Sequence, residues 1–588
     1  MAHEWSLKEM YTGYDDPNFL KDFEALDALR DDVMKAATNE AGLDDLSQVR
    51  AILLALENHH KTARKIGGYV HLRMSVQATD GETVSWNRKI SAKGAAMALP
   101  VTMANKVLAR YDEETVAKWA EKDALIAAYT FLLAENRNDA KHFLSDELEE
   151  IIAQMNLNAG SAWGRLFSQL TATVKVDYRG KQITLSEVRN LAYSDDAAQR
   201  RDAYEAELAC YPKIEESLAF ALNNIKSQVS MLSEKRGYES PLAMTLENNR
   251  MTRRTLDAMF TAIKEYLPVF HDYLKAKAKL LGHEGGLPWY DLFAPVGACE
   301  GDYSIEAAKE MLLDVFGKFE PDMQKMMRRA FDEEWIDFYS RPGKVGGAFC
   351  AGVPSIGQSR ILTNYDETLG DIQTLAHELG HAYHNLNIAA HRPLNMGYTM
   401  PVAETASTFN ETHLNNYLLK SADKATRLFL LESTLSNTTQ IICDIYSRYL
   451  FETAVFEACQ NQFLMPEQLK EIMLSAQKTA YGDGLDPNYL HPYMWACKSH
   501  YYSEGRSFYN FPYAFGGLFA TGLYHCYEEQ GEAFVPLYRK LLNATTVTTV
   551  EGAAKMADID ITTPDFWRGS LETYAKLAKE FAQLAEEC

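Results

Sequence analysis

The chain alternates long stretches of helical periodicity with a few short interruptions. Over residues 17–170, apolar residues recur every three or four positions, as in FLKDFEALDALRDDVMKAA, which is typical of amphipathic helices. The pattern predicts helix again from about residue 185, and almost throughout 366–588 with breaks near 481–492 and 501–517. The sequence therefore predicts a mainly α fold.

Two of the interruptions predict β-structure. In TATVKVDYRGKQITLSEV, apolar and polar residues alternate on both sides of Arg179 and Gly180, which predicts a hairpin near 173–184. Thr184 and Glu187 have capping-box spacing, so a helix is expected to begin there. Residues 340–364 contain several glycines and β-branched residues without helical periodicity, which indicates loops and short strands.

Composition restricts the possible partners. Asp and Glu outnumber Lys and Arg by 81 to 59, which gives a formal net charge of −22. Nucleic acid and anionic membrane surfaces attract proteins through clustered basic residues, and no such block stands out here. We therefore expect no nucleic-acid partner and no membrane partner, while the oligomeric state is not fixed by the sequence.

The cysteines and the apolar segments favour a cytoplasmic protein. The eight cysteines are scattered without a CxxC pair, as expected of reduced thiols rather than of a disulfide framework. The first residues lack the basic and apolar regions of an export signal. The most apolar stretch, 96–108, contains Pro100, Asn105 and Lys106, so no membrane span is expected.

The candidate chemistry lies in DIQTLAHELGHAYHNL, residues 371–386. His377 and His381 are four residues apart, so on a helix both imidazoles face one side and can bind a single metal ion. Glu378 is rotated off that side, where it can take a proton from a water that the metal activates. This spacing predicts a zinc hydrolase.

A catalytic zinc site needs a third protein ligand. The downstream candidates are His384, His391, Glu404 and Glu411. The metzincin pattern requires Gly at 384 and His at 387, which this chain lacks, so a glutamate on a following helix is favoured. Glu404 is the preferred ligand.

The residues around the ligands have predicted supporting roles. Glu411 lies seven residues after Glu404 on nearly the same helical face, so it is expected to orient a ligating histidine, and Asp371 is a further candidate for such support. His384 and His391 are expected to be surface or internally hydrogen-bonded histidines rather than ligands.

At this point the chain resembles the oligoendopeptidase F branch of the M3 (thimet oligopeptidase) family. TLAHELGHAYH is similar to the zinc helix of that family, and AETASTFNE is similar to its second ligand helix. The similarity continues in WSLKEMYTGYDDPNF, LPWYDLFAPVG and HYYSEGRSFYNFPYAFG. It therefore runs nearly from end to end.

The resemblance implies a fold and a ligand set. It implies two helical lobes that enclose a deep substrate channel, with a small β-sheet beside the active-site helices and one zinc ion per chain. His377, His381 and Glu404 would be the ligands and Glu378 the general base. We expect an N-terminal helical region at 1–195 and a catalytic region at 196–588 that together build this body.

The family also implies substrate contacts. A glycine-rich strand pairs with the substrate backbone in this family, and Gly346, Gly347, Ala348 and Phe349 occupy the equivalent place. A late loop stabilises the oxyanion, and its matching residues are listed here: His500, Tyr509 and Tyr513, with Tyr501 or Tyr502 as alternatives. The alternative for each tyrosine is a packed aromatic core.

The leading hypothesis is thus an endopeptidase that acts on short, unstructured oligopeptides. A carboxypeptidase-type exopeptidase is the alternative among enzymes. A non-catalytic helical scaffold that binds peptides is disfavoured, because a structural metal site has no use for a carboxylate such as that of Glu378 beside an open coordination position. Two plain core histidines are disfavoured too, because both imidazoles would need partners.

Overall fold

The structure is a computed structural model that describes residues 3–297 and 299–587, and most of these residues are helical. The helices of the first half are α1 Pro17–Thr38, α2 Asp45–Val76, α3 Gly81–Ala96, α4 Ala98–Leu108, α5 Glu113–Ala120, α6 Ala124–Ala128, α7 Thr130–Ala140, α8 Asp146–Asn156, α9 Gly160–Thr173, α10 Leu185–Asn190, α11 Ala197–Cys210, α12 Glu215–Lys235, α13 Pro241–Asn248 and α14 Arg253–Leu280. The predicted mainly α class is confirmed.

The second half is also mainly helical and includes a small sheet. Its helices are α15 Ile305–Phe319, α16 Pro321–Asp332, α17 Leu369–Ile388, α18 Met400–Ala403, α19 Thr405–Leu419, α20 Lys424–Thr439, α21 Ile445–Cys459, α22 Pro466–Tyr481, α23 Phe511–Gln530, α24 Phe534–Ala544, α25 Val550–Lys555 and α26 Pro564–Glu586. The strands of the chain are β1 Lys175–Tyr178, β2 Lys181–Thr184, β3 Ile336–Asp337, β4 Phe349–Val353 and β5 Gln358–Leu362. None of the helices that the described residues form combines the length and the apolar character needed to span a lipid bilayer.

The chain forms two compact units, each built from three separate segments. Unit 1 comprises Met1–His142, Gly301–Tyr417 and Tyr527–Asp558, and unit 2 comprises Phe143–Glu300, Leu418–Cys526 and Ile559–Cys588. The first segment of unit 1 therefore folds together with the segment that carries the HELGH motif. The predicted boundary between 195 and 196 lies within a segment of unit 2, and both that division and the channel stay predictions.

Unit 2 contains the hairpin that the sequence predicts. Strands β1 and β2 pair antiparallel, with Val176 opposite Ile183, and the capping box of Thr184 and Glu187 starts α10. Helix α23 begins at Phe511, six residues before the predicted end of the break at 517. Gly517 lies within this helix. A Cβ at this position would lie 2.4 Å from Ile441 Cδ1, so the glycine permits close packing against Ile441.

Unit 1 contains a three-stranded sheet with different neighbours on its two faces. The strand order is β3-β5-β4, with β3 parallel and β4 antiparallel to β5, so β4 is an edge strand of this sheet. Side chains alternate across β4. Phe349 and Val353 pack with the cluster that contains Trp5, whereas Cys350 lies 3.9 Å from Asn385 of α17. The N-terminal segment thus packs on one face of the sheet, and helix α17 packs on the other.

Helix α17 begins at a well-formed cap. Thr368 Oγ1 accepts a hydrogen bond from the backbone N–H of Asp371 at 3.2 Å, and the Asp371 carboxylate accepts one from the backbone N–H of Thr368 at 2.9 Å. This reciprocal pair satisfies N–H groups that have no partner within the helix. The cap therefore fixes where α17 starts, and with it the position of the motif two turns later.

We expect Thr368→Ala to destabilise unit 1 by about 1 kcal/mol, because it removes the side chain that caps α17. Hydrogen exchange of residues 369–372 and urea unfolding would measure the loss. Thr374→Ala is the matched control, since Thr374 Oγ1 only donates to the carbonyl of Gly370 within the helix. Equal destabilisation by the two substitutions would contradict this role of the cap.

Candidate metal centre

Three side chains of unit 1 bring their polar atoms together. His377 Nε2 lies 3.2 Å from Glu404 Oε2, His381 Nε2 lies 3.4 Å from the same oxygen, and the two Nε2 atoms are 3.2 Å apart. All three side chains are partly buried. Two imidazole nitrogens and one carboxylate oxygen therefore form a nearly equilateral triangle at the end of α18 and along α17.

The triangle fits a tetrahedral metal ion. Zinc binds imidazole nitrogen and carboxylate oxygen at about 2.0–2.2 Å, which places neighbouring tetrahedral ligands about 3.3–3.6 Å apart. The three observed separations, 3.2, 3.2 and 3.4 Å, agree with this requirement. Two imidazoles and one carboxylate are also a donor set typical of catalytic zinc, with a fourth position left for water or substrate.

Glu411 orients the first histidine. Its Oε1 accepts a hydrogen bond from His377 Nδ1, which leaves Nε2 as the atom that faces the triangle. Burial lowers the pKa of His377, but hydrogen bonds with Glu404 and Glu411 outweigh this effect and raise the pKa to about 10. These carboxylates thus create a site that strongly favours positive charge.

Glu378 lies beside the triangle with a free oxygen. Its side chain is 5% exposed, and within the described part of the chain its Oε2 has no hydrogen-bond partner. Burial raises the pKa of Glu378, although the neighbouring His377 and His381 oppose the shift. An unpartnered buried carboxylate oxygen costs free energy, so its presence next to the triangle is informative. Its chemistry is that of a proton acceptor.

Gly380 sets the distance between α17 and the segment that carries Glu404. A Cβ at this position would lie 2.5 Å from the carbonyl oxygen of Ala406 and 2.6 Å from Ser407 Cα, both backbone atoms. Ser407 Oγ in turn donates to Glu404 Oε2 at 2.8 Å. In the sequence, the signal for this role is the location of Gly380 between the two histidines of the motif.

Two amide side chains hold the same helices together. Asn410 Nδ2 donates to the carbonyl oxygen of Ala376 at 3.1 Å, and Gln373 Nε2 donates to Asn415 Oδ1 at 2.7 Å. Asn410 is fully buried. Since these hydrogen bonds lie close to His377 along α17, they fix α19 and its Glu411 relative to the histidines.

The other predicted residues near the motif have different surroundings. Asp371 lies at the N-terminal cap of α17, about 9 Å along the helix axis from His377, so it acts on the ligands only through the helix it caps. His384 is buried, contacts Thr545 Oγ1 at 2.8 Å and stacks on Tyr398 at 4.4 Å. His391 Nε2 lies 2.8 Å from the carbonyl oxygen of Asn543.

The glycine-rich segment before α17 is only partly a strand. Phe349 opens β4, whereas Gly346, Gly347 and Ala348 form the loop that precedes it. Gly347 has φ +83°, a conformation that glycine adopts without strain and that prevents the strand from starting earlier. Asn364 Nδ2 donates to the carbonyl oxygen of Gly347 at 2.8 Å and holds this loop.

His500, Tyr509 and Tyr513 lie together in unit 2. His500 Nε2 accepts a hydrogen bond from Asn510 Nδ2 at 2.7 Å, and the Tyr509 and Tyr513 hydroxyls are 2.9 Å apart. Burial lowers the pKa of His500 to about 2, and nearby cations such as Arg448 add to the effect. The imidazole is therefore neutral. Its role toward a metal in unit 1 stays a prediction.

The two alternative tyrosines are part of the packing of unit 2. Tyr502 stacks on Phe167 with ring centroids 4.2 Å apart, and Tyr501 packs against Phe451 at 5.2 Å. Both rings are buried, and neither hydroxyl has a hydrogen-bond partner among the described residues. This environment favours the aromatic-core interpretation for Tyr501 and Tyr502.

Comparisons with known proteins agree with the geometry. A family model described as peptidase family M3 matches residues 190–572, and a model described as oligopeptidase F matches residues 108–175. Oligopeptidase PepF of Bacillus subtilis (strain 168) is 24% identical to the chain, over 99% of this chain and 87% of the relative. Group B oligopeptidase PepB of Streptococcus agalactiae is 27% identical, over 75% and 74% of the two chains.

Solved structures share the fold. A peptidase crystal structure from Chlamydophila abortus superimposes with a TM-score of 0.86 at 20% identity, over 99% of this chain and 98% of that chain. The crystal structure of oligoendopeptidase-F from Enterococcus faecium gives a TM-score of 0.70 at 19% identity, over 97% and 99%. At these identities the superpositions establish the fold alone.

We expect Gly380→Ala to impair metal binding and peptide hydrolysis, because the new methyl group would push the Ala406–Ser407 backbone away from α17. Such overpacking costs about 1–3 kcal/mol, and it displaces Glu404 as well. Metal content and thermal unfolding would measure the two effects. Gly370→Ala in the first turn of the same helix is the control, since its Cβ would make an ordinary 3.6 Å contact. Normal metal content in Gly380→Ala would contradict this role.

Proposed function

We propose that this chain, which belongs to peptidase family M3 and is a metallo-oligopeptidase, uses zinc to cut internal bonds of short, unstructured peptides. The supporting observation is the triangle of His377, His381 and Glu404 with the unpartnered carboxylate oxygen of Glu378 beside it. A purely structural metal site would not need that free carboxylate.

Each residue has a distinct part in the proposed reaction. His377, His381 and Glu404 would hold the ion, which when bound lowers the pKa of a water molecule and polarises the scissile carbonyl. Glu378 accepts the proton of the attacking water and passes it to the leaving amine. Glu411 keeps His377 in the tautomer that presents Nε2, and Ser407 holds the Glu404 carboxylate. Burial of Glu378 suits proton transfer, because it raises the pKa of the carboxylate and so makes it a better proton acceptor.

The substrate backbone is proposed to pair with β4. Over the described residues β4 has a strand neighbour on one side only, so its outer edge can add an extended peptide. The Gly346–Phe349 segment leads into this edge, and a Cβ added to Gly346 or Gly347 would meet no atom within 4 Å. Backbone pairing depends little on side chains, which suits an enzyme that accepts varied peptides.

Oxyanion stabilisation is proposed for His500, Tyr509 and Tyr513. A neutral imidazole and phenol hydroxyls are hydrogen-bond donors of the kind that stabilise developing negative charge, and one such donor contributes about 10²–10³-fold in rate. The hydrogen bond to His500 Nε2 supports this assignment, since it leaves the proton on Nδ1. Substitution of each residue in turn would identify the donor that contributes most.

We place the reaction in the cytoplasm. The seven cysteines among the described residues form no disulfide with one another, and two of them, Cys210 and Cys443, are buried. Proteins of oxidising compartments usually join such residues in disulfides. A strongly acidic chain without clustered basic residues fits a reducing, aqueous compartment and peptide substrates.

We expect Glu378→Gln to retain zinc and to lose hydrolysis by about 10²–10⁴-fold, because the amide cannot accept the proton of the water. His381→Ala should lose both zinc and activity, since it removes a ligand. Elemental analysis of the purified variants, together with peptide turnover, separates the two effects. Near-normal turnover by Glu378→Gln would overturn the assignment of the general base.

We expect peptides with an acetylated N-terminus and an amidated C-terminus to be cut at internal bonds, because backbone pairing with β4 requires no free terminus. Mass spectrometry of the products identifies the bonds. A chelator should abolish cleavage and added zinc should restore it. Cleavage that requires a free terminus would favour the exopeptidase, and cleavage that is indifferent to chelation would contradict the metal mechanism.

A further inference from the structure

Unit 1 contains a cavity of about 550 Å³ next to the edge strand β4. Its walls come from Met10 and Asp22 in the N-terminal segment, from α2, from Ala351–Ser355 at the end of β4, and from the segment that follows α17. Cavities that bury small ligands measure about 300–1,000 Å³, so this one has room for a few groups of a bound peptide. Segments that are distant in sequence therefore line one binding-sized space.

The charge of the cavity is opposite to that of the protein. Lys61, Arg64 and Lys65 line it together with one acidic residue, Asp22. Lys65 is already paired with Asp22, at 3.0 Å. The lining thus keeps a positive excess in a chain whose formal net charge is −22. Such a local reversal favours an anionic group of a ligand.

Arg64 is the partly buried cation of this lining, and it has no anionic partner among the described residues. No carboxylate among the described residues lies within 4.0 Å of its guanidinium, and its Nη1 makes only a weak polar contact with Met396 Sδ at 3.8 Å. Burial lowers the pKa of Arg64, which shows that its charge is poorly solvated. A guanidinium in these surroundings gains more from a carboxylate than an exposed one does, because its two parallel N–H groups match the two carboxylate oxygens.

The neighbouring His60 neither neutralises the charge of Arg64 nor adds positive charge to the cavity. His60 also lines the cavity, and burial, followed by the charge of Arg64, lowers the pKa of its imidazole. His60 is therefore neutral near pH 7 and is available as a hydrogen-bond partner. Recognition of an anion in this cavity falls mainly to Arg64, with Lys61 at the exposed margin.

Strand β4 connects the cavity to the candidate metal centre. Cys350 lies close enough to Glu378 for the carboxylate to contribute to the raised pKa of the thiol, after the larger effect of burial. Val353 is three residues further along the strand, about 10 Å away, and it lines the cavity. A peptide that pairs with β4 and presents its scissile bond near Glu378 would reach the cavity two or three residues from that bond.

We infer that this cavity is a substrate subsite in which the Arg64 guanidinium binds a carboxylate of the peptide. The inference rests on the proposed function, since it takes the peptide to lie along β4. The carboxylate has two possible sources with the same chemistry, an Asp or Glu side chain or the free C-terminus of a short peptide. The enzyme would then prefer peptides that carry a negative charge two or three residues from the cleaved bond.

The test compares matched peptides on the parent protein and on Arg64→Gln. The peptides of one pair carry either Glu or Gln at a single position, two or three residues from the cleaved bond on either side. The peptides of a second pair have either a free or an amidated C-terminus. We expect the parent to favour the charged member of one pair by about 10- to 100-fold in kcat/KM, as for a hydrogen-bonded charge pair. The pair that responds identifies the source of the carboxylate.

Arg64→Gln should reduce that ratio toward one, mainly through KM, whereas Arg64→Lys should retain part of it because the charge remains. Arg88→Gln is the matched control, since Arg88 is exposed on α3, does not line the cavity and makes the same change in net charge. It should leave the ratio unchanged. An unaltered ratio in Arg64→Gln, or an equal loss in Arg88→Gln, would overturn the inference.

Binding measurements separate this inference from the proposed function. Fluorescence anisotropy of the same labelled peptides on Glu378→Gln, with and without Arg64→Gln, reports the carboxylate preference without any cleavage. If the parent cuts no peptide but the preference depends on Arg64, the subsite stands and the proposed reaction fails. If Arg64→Gln does not fold, the parent and Arg64→Lys decide, and a parent without preference for either carboxylate refutes the subsite.

Discussion

The candidate metal centre of this protein depends on the close approach of two helical segments at Gly380. The absence of a side chain there lets the Ala406–Ser407 backbone reach α17, and Ser407 then fixes the carboxylate of Glu404. The buried Asn410 amide secures the same approach from α19. The position of a side chain supplied by a second segment depends on the distance between the two segments. Packing at Gly380 therefore determines the geometry of the candidate site.

The electrostatics of the site follow from this packing. Glu378, Glu404 and Glu411 surround two histidines in a partly buried place, where like charges are poorly screened. The pKa of Glu404 lies well below its usual range, because hydrogen bonds with His377 and His381 overcome the effect of burial. A divalent cation would offset this concentration of negative charge, so the folded state and a bound metal would stabilise each other.

Local patterns in the sequence predicted the helices, the hairpin near 173–184 and the residues that converge on the triangle, since helical spacing alone places His377 and His381 on one face. The pattern did not reveal that the N-terminal segment packs with the motif segment in unit 1, because contacts between distant segments leave no local period. Nor did it identify Arg64, which is one of many charged residues on an amphipathic helix. Asp371 proved to be a cap residue, a role that the Thr368 spacing could have indicated.

The edge strand β4 also bears on solubility. A strand with one unpaired side is a template for other chains, and proteins protect such edges by keeping them short or by ending them with proline. Strand β4 spans five residues, and Pro354 follows it directly. A strand this short offers only a few backbone groups to another chain, which limits edge-to-edge pairing between whole molecules.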